Sequence, residues 1–376
     1  MEIAINRVAL LDALSMIQGI VERRNTVPIL GHVLIEPAEG RVRLSATDLE
    51  VGIRTELTAE ASDPASFTLA ARKLFEIVRE TEAEQVTIKA LERDWMELRC
   101  GRARFKMMGL DPRSFPSLPA TNGQLDRERG IQAELKLSPD VLANMIDKTI
   151  FAVSPDEARY NLSGVYLAAP ESGTVRMVAT DGHRLSLVDR EAGGFAMEGG
   201  VIIPRKGLAE LRKLLDEPGE DVAHLVIERQ LAWLRRGATE LSMRLVEGEF
   251  PDYQGVIPTE SRYQIHVGRD ILLNAMRRAA IFSNERYHGV KLAFAEGTLT
   301  VSSTSPEVGE ASETIDVAFN GAEFSIGFNA LYIQQVLNVI PSEGEAVLGL
   351  SDEVTAGVIT TPSDSKFRYV VMPMRL

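Results

Sequence analysis

The chain repeats itself, and internal repetition limits a fold more tightly than any single motif does. Ile29 to Gly52 (ILGHVLIEPAEGRVRLSATDLEVG) lies over Leu162 to Leu185 (LSGVYLAAPESGTVRMVATDGHRL) without a gap. One offset of 133 residues carries Gly31 onto Gly164, Leu34 onto Leu167, Pro37 onto Pro170 and Gly40 onto Gly173. The same offset carries Val42 onto Val175, Ala46-Thr47-Asp48 onto Ala179-Thr180-Asp181, Arg72-Lys73 onto Arg205-Lys206 and Arg79 onto Arg212. A fainter third copy, YHGVKLAFAEGTLTVSSTSPEVG, sets Gly289 with Gly164, Leu292 with Leu167, Gly297 with Gly173 and Thr304 with Thr180.

The repeats predict three domains, over residues 1–122, 130–256 and 262–376. The joints, FPSLPATNGQLDRERG and FPDYQGVIPTESR, are rich in Pro, Gly and polar residues, as linkers are. Each copy reads as an opening amphipathic helix, two strands around a Gly-containing turn, a second helix and further strands. In the second copy Ser138 suits an N-cap and Pro139 the first helical turn. The predicted class is α+β, two helices against antiparallel sheet in each domain. RFKMMGL, LSMRLVE and YVVMPMRL hold equivalent places as last strands. That accounts for an apolar segment at 368–376, but not for Met372, Pro373, Met374 and Leu376 beyond the strand.

Composition excludes several classes. The charge of −13 argues against capture of nucleic acid by net attraction. A local basic surface stays compatible with it, because exposed charges act over only about 8–10 Å at ordinary salt. No run of about 18 apolar residues predicts a membrane helix, and MEIAINRVALLDAL does not read as a secretory signal. The single Cys100, within a strand-like segment, reads as a buried inert thiol and fits a reducing cytosol. A cytoplasmic globular protein is expected.

Chemistry-bearing motifs are scarce. Phosphate-binding Gly loops and paired C-x-x-C are missing, and His32, His183, His224, His266 and His288 stand at no metal-ligand spacing. No metal and no cofactor is expected. ATDGHRLSL, Ala179 to Leu187, is open to two readings. Asp181, His183 and Ser186 could serve acid–base catalysis in a cytosolic enzyme. Against this, strand side chains alternate faces and Asp-Gly signals a turn, which favours a structural or binding role. The recurring basic residues are equally open: a solvated helix face, or a shared surface holding phosphates without reading bases.

PILGHVL, ATDLE, ARKLF, ATDGHRL, IPRKG, FPDY, SNE, GFN and YVVMPMRL together resemble the bacterial sliding clamps, the β subunit of the replicative DNA polymerase III holoenzyme. The resemblance spans the whole chain. It implies a non-catalytic processivity factor, a head-to-tail homodimer whose six domains form a ring with helices inside and sheets outside. Twelve helices spaced about 8–10 Å apart enclose a circle about 31–38 Å across. Removing a helix radius of about 5 Å on each side leaves room for duplex DNA. Implied partners are DNA, held topologically, the clamp loader, the polymerase catalytic subunit and other proteins with a clamp-binding peptide. A peptide-binding scaffold without DNA is the remaining alternative.

By the same resemblance, a peptide groove lies between the second and third domains. Its wall from the second would be Leu162, Thr180, Gly182, His183, Arg184, Leu185, Pro251 and Val256. Tyr287, Asn329, Tyr332, Val354, Val370, Val371, Met372, Pro373, Met374, Arg375 and Leu376 would complete it. Flexible Met side chains suit a pocket that accepts several peptides, and an exposed apolar patch marks an interaction site. Gly255 stands where members often carry Arg after FPDY, and Ala356 where Ser is common, so fewer polar anchors are expected. Arg24, Arg72, Lys73, Lys148, Arg205, Lys206, Lys213 and Arg277 are implied to face DNA. Phe105 and Met107 are implied to meet Ile281 and Phe282 of a second copy.

Overall fold

A computed structural model describes residues 2–21, 26–61, 65–119, 131–156, 158–307 and 309–376. One order of elements occurs three times. The first repeat runs β1 (Glu2–Asn6), α1 (Arg7–Ile20), β2 (His32–Ala38), β3 (Arg41–Thr47), β4 (Val51–Ala61), β5 (Phe67–Ala70), α2 (Ala71–Glu80), β6 (Gln85–Ala90), β7 (Trp95–Cys100) and β8 (Ala103–Met108). The second runs β9 (Ala133–Leu137), α3 (Pro139–Asp147), β10 (Gly164–Ala168), β11 (Thr174–Thr180), β12 (Arg184–Glu191), β13 (Gly200–Pro204), α4 (Arg205–Asp216), β14 (Ala223–Ile227), β15 (Leu231–Arg236) and β16 (Thr239–Arg244). The third runs β17 (Tyr263–Gly268), α5 (Arg269–Ala280), β18 (Gly289–Ala295), β19 (Thr298–Ser305), β20 (Gly309–Asp316), β21 (Phe324–Asn329), α6 (Ala330–Val339), β22 (Glu345–Leu350), β23 (Gly357–Thr361) and β24 (Asp364–Val371).

Two features of the expected anatomy need correcting. A short strand precedes the first helix of every copy, and four strands, not two, separate the helices. In the opening EIAIN, Ile3 and Ile5 are buried while their neighbours alternate outward. The alternation is only five residues long, so by eye it merges with the helical pattern that follows. Asn6 then caps α1, its side chain accepting from the Ala9 amide at 3.1 Å. Leu10, Ala13, Leu14, Ile17 and Ile20 supply the buried stripe of that helix.

The chain divides into two compact units. The first comprises Met1–Ala143, Phe195–Met197 and Ile203–Leu245; the second comprises Asn144–Gly194, Glu198–Ile202 and Val246–Leu376. In the first, an antiparallel sheet runs β8-β7-β6-β1-β4-β16-β15-β14-β9, with β3, β2 and β5 continuing from β4. In the second, one sheet runs β13-β10-β11-β12-β24-β23-β22-β17 and another runs β20-β19-β18-β21. Compactness does not follow the repeats, because strands of neighbouring repeats pair. Ile53 of β4 lies opposite Leu241 of β16, and Leu185 of β12 opposite Val370 of β24. These two seams join equivalent strands.

Candidate functional site

The turn between β11 and β12 is built by two side chains. Thr180 Oγ1 donates to the Arg184 carbonyl at 2.6 Å and accepts from the Gly182 amide at 3.1 Å. Asp181 Oδ1 accepts from the His183 and Arg184 amides at 2.9 and 3.1 Å. Gly182 sits at φ +89°, where a side chain would be strained. The first repeat makes the same turn. Thr47 Oγ1 donates to the Val51 carbonyl at 3.0 Å and accepts from Leu49 at 2.9 Å, while Asp48 Oδ1 accepts from Glu50 and Val51 at 2.9 and 2.7 Å. The recurring Thr-Asp pair is therefore turn chemistry. Ser186, fully buried, donates its hydroxyl to the Lys148 carbonyl. Asp181 reaches His183 through the backbone amide, and these contacts do not make a catalytic triad.

What distinguishes the middle repeat is Arg184. Its guanidinium is buried, donates to Asp181 Oδ2 at 3.0 Å and to the Phe151 carbonyl at 2.6 Å, and pairs with the Gln335 side-chain oxygen. It lies 4.3 Å from the centre of the Tyr332 ring. Burial, and after it the charge of Asp181, raises the Tyr332 phenol above its ordinary pKa. Tyr369 on β24, fully buried, donates its hydroxyl to the Tyr332 carbonyl at 3.0 Å. One cation thus ties the β11–β12 turn to α6 and the last strand.

Beyond β24 the chain crosses toward β21. The Met372 amide donates to the His183 carbonyl at 2.9 Å, and the Met374 amide to the Gly327 carbonyl at 2.8 Å. Gly327 is needed there, because a Cβ would meet the Met374 carbonyl oxygen and come within 2.8 Å of Leu376 Cγ. Gly289, on the neighbouring strand, also faces Leu376; a Cβ there would collide with the tip of that side chain. Two strand glycines, read in the sequence only as repeat and family markers and not as groove residues, thereby seat the 372–376 segment. A glycine inside a strand pattern marks close approach of another chain segment, which was the available signal. Gln335 and Phe151 were also missed, and no local pattern points to them.

The sequence-derived groove residues fall into layers. Leu162, Thr180, Arg184, Leu185, Val370 and Val371 are buried; Asn329, Tyr332, Pro373 and Met374 are half-buried. Gly182, His183, Pro251, Val256, Tyr287, Val354, Met372, Arg375 and Leu376 are exposed. Leu185 and Val370 pack with Val178 and Leu187, flanked by Phe250, Tyr253, Ile257 and Ala356. The methyl of Ala356 is thus part of an apolar floor. Asn329 caps α6, accepting from the Leu331 amide at 2.9 Å. Open space surrounds the position of a Cβ on Gly255.

The basic residues separate sharply. Lys148 departs from the expectation of a DNA-facing group: it is buried and ion-paired with Asp364, 5.1 Å from the Phe367 ring centre. The isolated charge would cost several kcal/mol to bury, so a partner draws it inward. Arg72 donates to the Val21 carbonyl at 3.2 Å, and Lys206 to the Ile20 carbonyl at 3.0 Å as well as pairing with Asp48. Helix α1 has no basic residue in its last turn, and these two cations satisfy its end. Lys73, Arg205, Lys213 and Arg277 are exposed; Lys73 pairs with Glu76 at 2.6 Å, Lys213 with Glu210 at 2.7 Å, and Arg277 meets Asn338 at 3.2 Å. Arg24 lies outside the described residues. On edge strand β8, Phe105 is exposed and Met107 half-buried, with Met108, not singled out in the sequence, exposed beside them. Ile281 is exposed, and Phe282 lies against the position of Gly309 at the start of edge strand β20. Among the described residues no cluster of His, Cys, Asp or Glu could hold a metal ion, and no helix is long and apolar enough to cross a membrane.

Comparison with known proteins agrees with this architecture along the whole chain. Family models match residues 1–119 as the N-terminal domain of the DNA polymerase III beta subunit, 136–252 as its central domain and 254–375 as its C-terminal domain. The Beta sliding clamp of Caulobacter vibrioides NA1000 is 36% identical over 382 residues, and that of Escherichia coli K12 is 35% identical over 378, each covering 100% of both chains. A sliding clamp from Bartonella birtlesii, solved bound to griselimycin, superposes with a TM-score of 0.91 at 33% identity, and one from Caulobacter crescentus with 0.89 at 35%, both covering 100% of each chain. With three family domains in order and the same fold throughout, the chain belongs to the β sliding clamps, the DNA polymerase III β-subunit family.

Proposed function

We propose that two copies of this chain close head to tail into a ring around duplex DNA and tether the replicative polymerase, the clamp loader and other partners through the groove beside residues 370–376. The observation that carries the ring is the equivalence of the two seams. The fourth strand of repeat one pairs with the last strand of repeat two, and the fourth strand of repeat two with the last of repeat three. The remaining pair in that series is β20 and β8, both sheet edges. A seam between β20 of one copy and β8 of another repeats the same operation and closes the assembly. Phe105 and Met107 on β8, with Phe282 beside the start of β20 and Ile281 at the end of α5, supply apolar cover for that joint.

Three domains, over 1–122, 130–256 and 262–376, then contribute helices α1 to α6 of each copy to the ring. Lys73, Arg205, Lys213 and Arg277 offer exposed cations for phosphate contacts that position without reading sequence. Retention is topological, so a chain of net charge −13 can hold DNA without general attraction. The protein performs no catalysis of its own, which agrees with the structural use of Asp181 and Ser186. It works in the cytoplasm, where the chromosome is copied. The groove side chains, with flexible Met372 and Met374 at its edge, suit apolar peptides of more than one sequence.

The test is retention on DNA. The protein is loaded on nicked circles by a clamp loader and the circles are then cut. Release on cutting, with retention on the intact circle, is the expected result; equal retention on linear DNA would sink the ring.

A further inference from the structure

We infer that the peptide groove has an acidic-residue subsite, built by Lys366 and Arg368, which favours partner peptides carrying a carboxylate a few residues from their apolar anchor. The inference rests on the groove reading above and adds a specificity to it.

The cavity that carries it holds about 230 Å³ and is lined by Arg176, Leu187, Asp189, Ile257, Lys366 and Arg368 among others. Arg176 and Asp189 neutralise one another: the guanidinium meets both carboxylate oxygens at 2.7 Å, with Tyr253 Oη at 3.5 Å. Lys366 and Arg368 are different. Both are exposed, and although the Lys366 backbone amide donates to Asp364 Oδ1 at 3.2 Å, the charged end of neither side chain is paired with a carboxylate among the described residues. The pocket therefore carries an excess of positive charge on a chain with an excess of acids.

Its position ties it to the groove. Leu187 lies opposite Arg368 across β12 and β24, one step along the same sheet face from the pair Leu185 and Val370. Leu187 belongs to the apolar cluster of Leu185 and Val370, and Ile257 of the cavity packs on that cluster. Two residues of strand span about 7 Å. An extended peptide whose apolar anchor lies over the cluster of Leu185 and Val370 thus brings a side chain two or three residues away over the cations. A carboxylate is the group they complement, and Arg368 can engage it bidentately. Partial enclosure beside Leu187 and Ile257 strengthens such a pair over one in open water.

The probes are fluorescein-labelled decapeptides with two adjacent apolar residues at the centre and neutral flanks. One Glu is moved through the flanking positions, each peptide having its Gln counterpart, and affinity for the full-length protein is read by anisotropy. At one or two adjacent positions Glu should bind about three- to fivefold tighter than Gln, the size an exposed ion pair supplies, and the advantage should shrink with added salt. The double variant Lys366→Ala/Arg368→Ala should lose the advantage while binding the Gln peptides as before. Lys366→Glu/Arg368→Glu should reverse it. Equal binding of Glu and Gln at every position, or an advantage that survives the double alanine variant, overturns the subsite. Failure of the Gln peptides to bind the unaltered protein overturns the groove reading itself, and the subsite with it.

Discussion

Asp181 and Arg184 face each other at 3.0 Å across one turn, each with only 6% of its side chain exposed. The pair is completed by groups from elsewhere: Asp181 by two backbone amides, Arg184 by the Phe151 carbonyl, Gln335 and the Tyr332 ring. Removing one member of a buried pair leaves the other charge uncompensated, at a cost of about 3–5 kcal/mol. Arg184→Ala should therefore lower the melting temperature by several degrees and weaken peptide binding at temperatures where the variant is still folded. Unchanged melting would mean that the guanidinium is not held as described.

His183 offers a contrast. Its carbonyl, not its ring, receives the Met372 amide, and the side chain is exposed. His183→Ala should shift stability by no more than about 0.5 kcal/mol and weaken peptide binding. DNA retention should survive. A substrate turned over by the protein and lost in this variant would restore the enzymatic alternative.

The seat of residues 372–376 depends on two absent Cβ atoms of unequal importance. At Gly327 the obstacle is the Met374 backbone, whereas at Gly289 it is chiefly the mobile end of Leu376. Overpacking against backbone costs about 1–3 kcal/mol. Gly327→Ala should weaken peptide binding by roughly tenfold and expose the tail to carboxypeptidase, with Gly289→Ala milder on both counts. Equal effects of the two variants would contradict this seating.

Asp364 faces two cations, Lys148 and Arg190, with Lys148 nearly wholly buried. Desolvation pushes the carboxyl up, but hydrogen bonds and charge from Arg190 and Lys148 outweigh it, and the pKa lies below its ordinary 3.8. A carboxyl depressed on folding contributes stability that is fully present above the unfolded value and lost as pH falls through the folded one. The contribution should hold from neutral pH down to about 4 and disappear below that. Asp364→Asn should cost about 3 kcal/mol at pH 7 and flatten the acid limb of a denaturation series. A limb as steep as that of the unaltered protein would assign the acid sensitivity elsewhere.

Phe105 stands on edge strand β8 and Ile281 just past the end of α5, and both are exposed in a single copy of the chain. Phe105→Asp/Ile281→Asp should yield a folded monomer in sedimentation velocity, with melting little changed and DNA retention lost. A double variant that remains dimeric would exclude the β8–β20 joint.

Much of the architecture was legible because it is local. Hydrophobic spacing, Gly turns and the recurring Thr-Asp pair carry their own physical instruction, and the same pattern in a second copy makes the same turn with the same bonds. The identity of the last strands was legible for the same reason. Only tertiary structure decided which cations are free. Lys148 and Asp364 are 216 residues apart, Lys206 and Ile20 are 186 apart, and nothing in either neighbourhood of sequence announces the partner. A lysine's residue type encodes a charge. Whether that charge faces solvent, closes the end of a helix or lies buried against a carboxylate is set by which distant strands and helices fold over it.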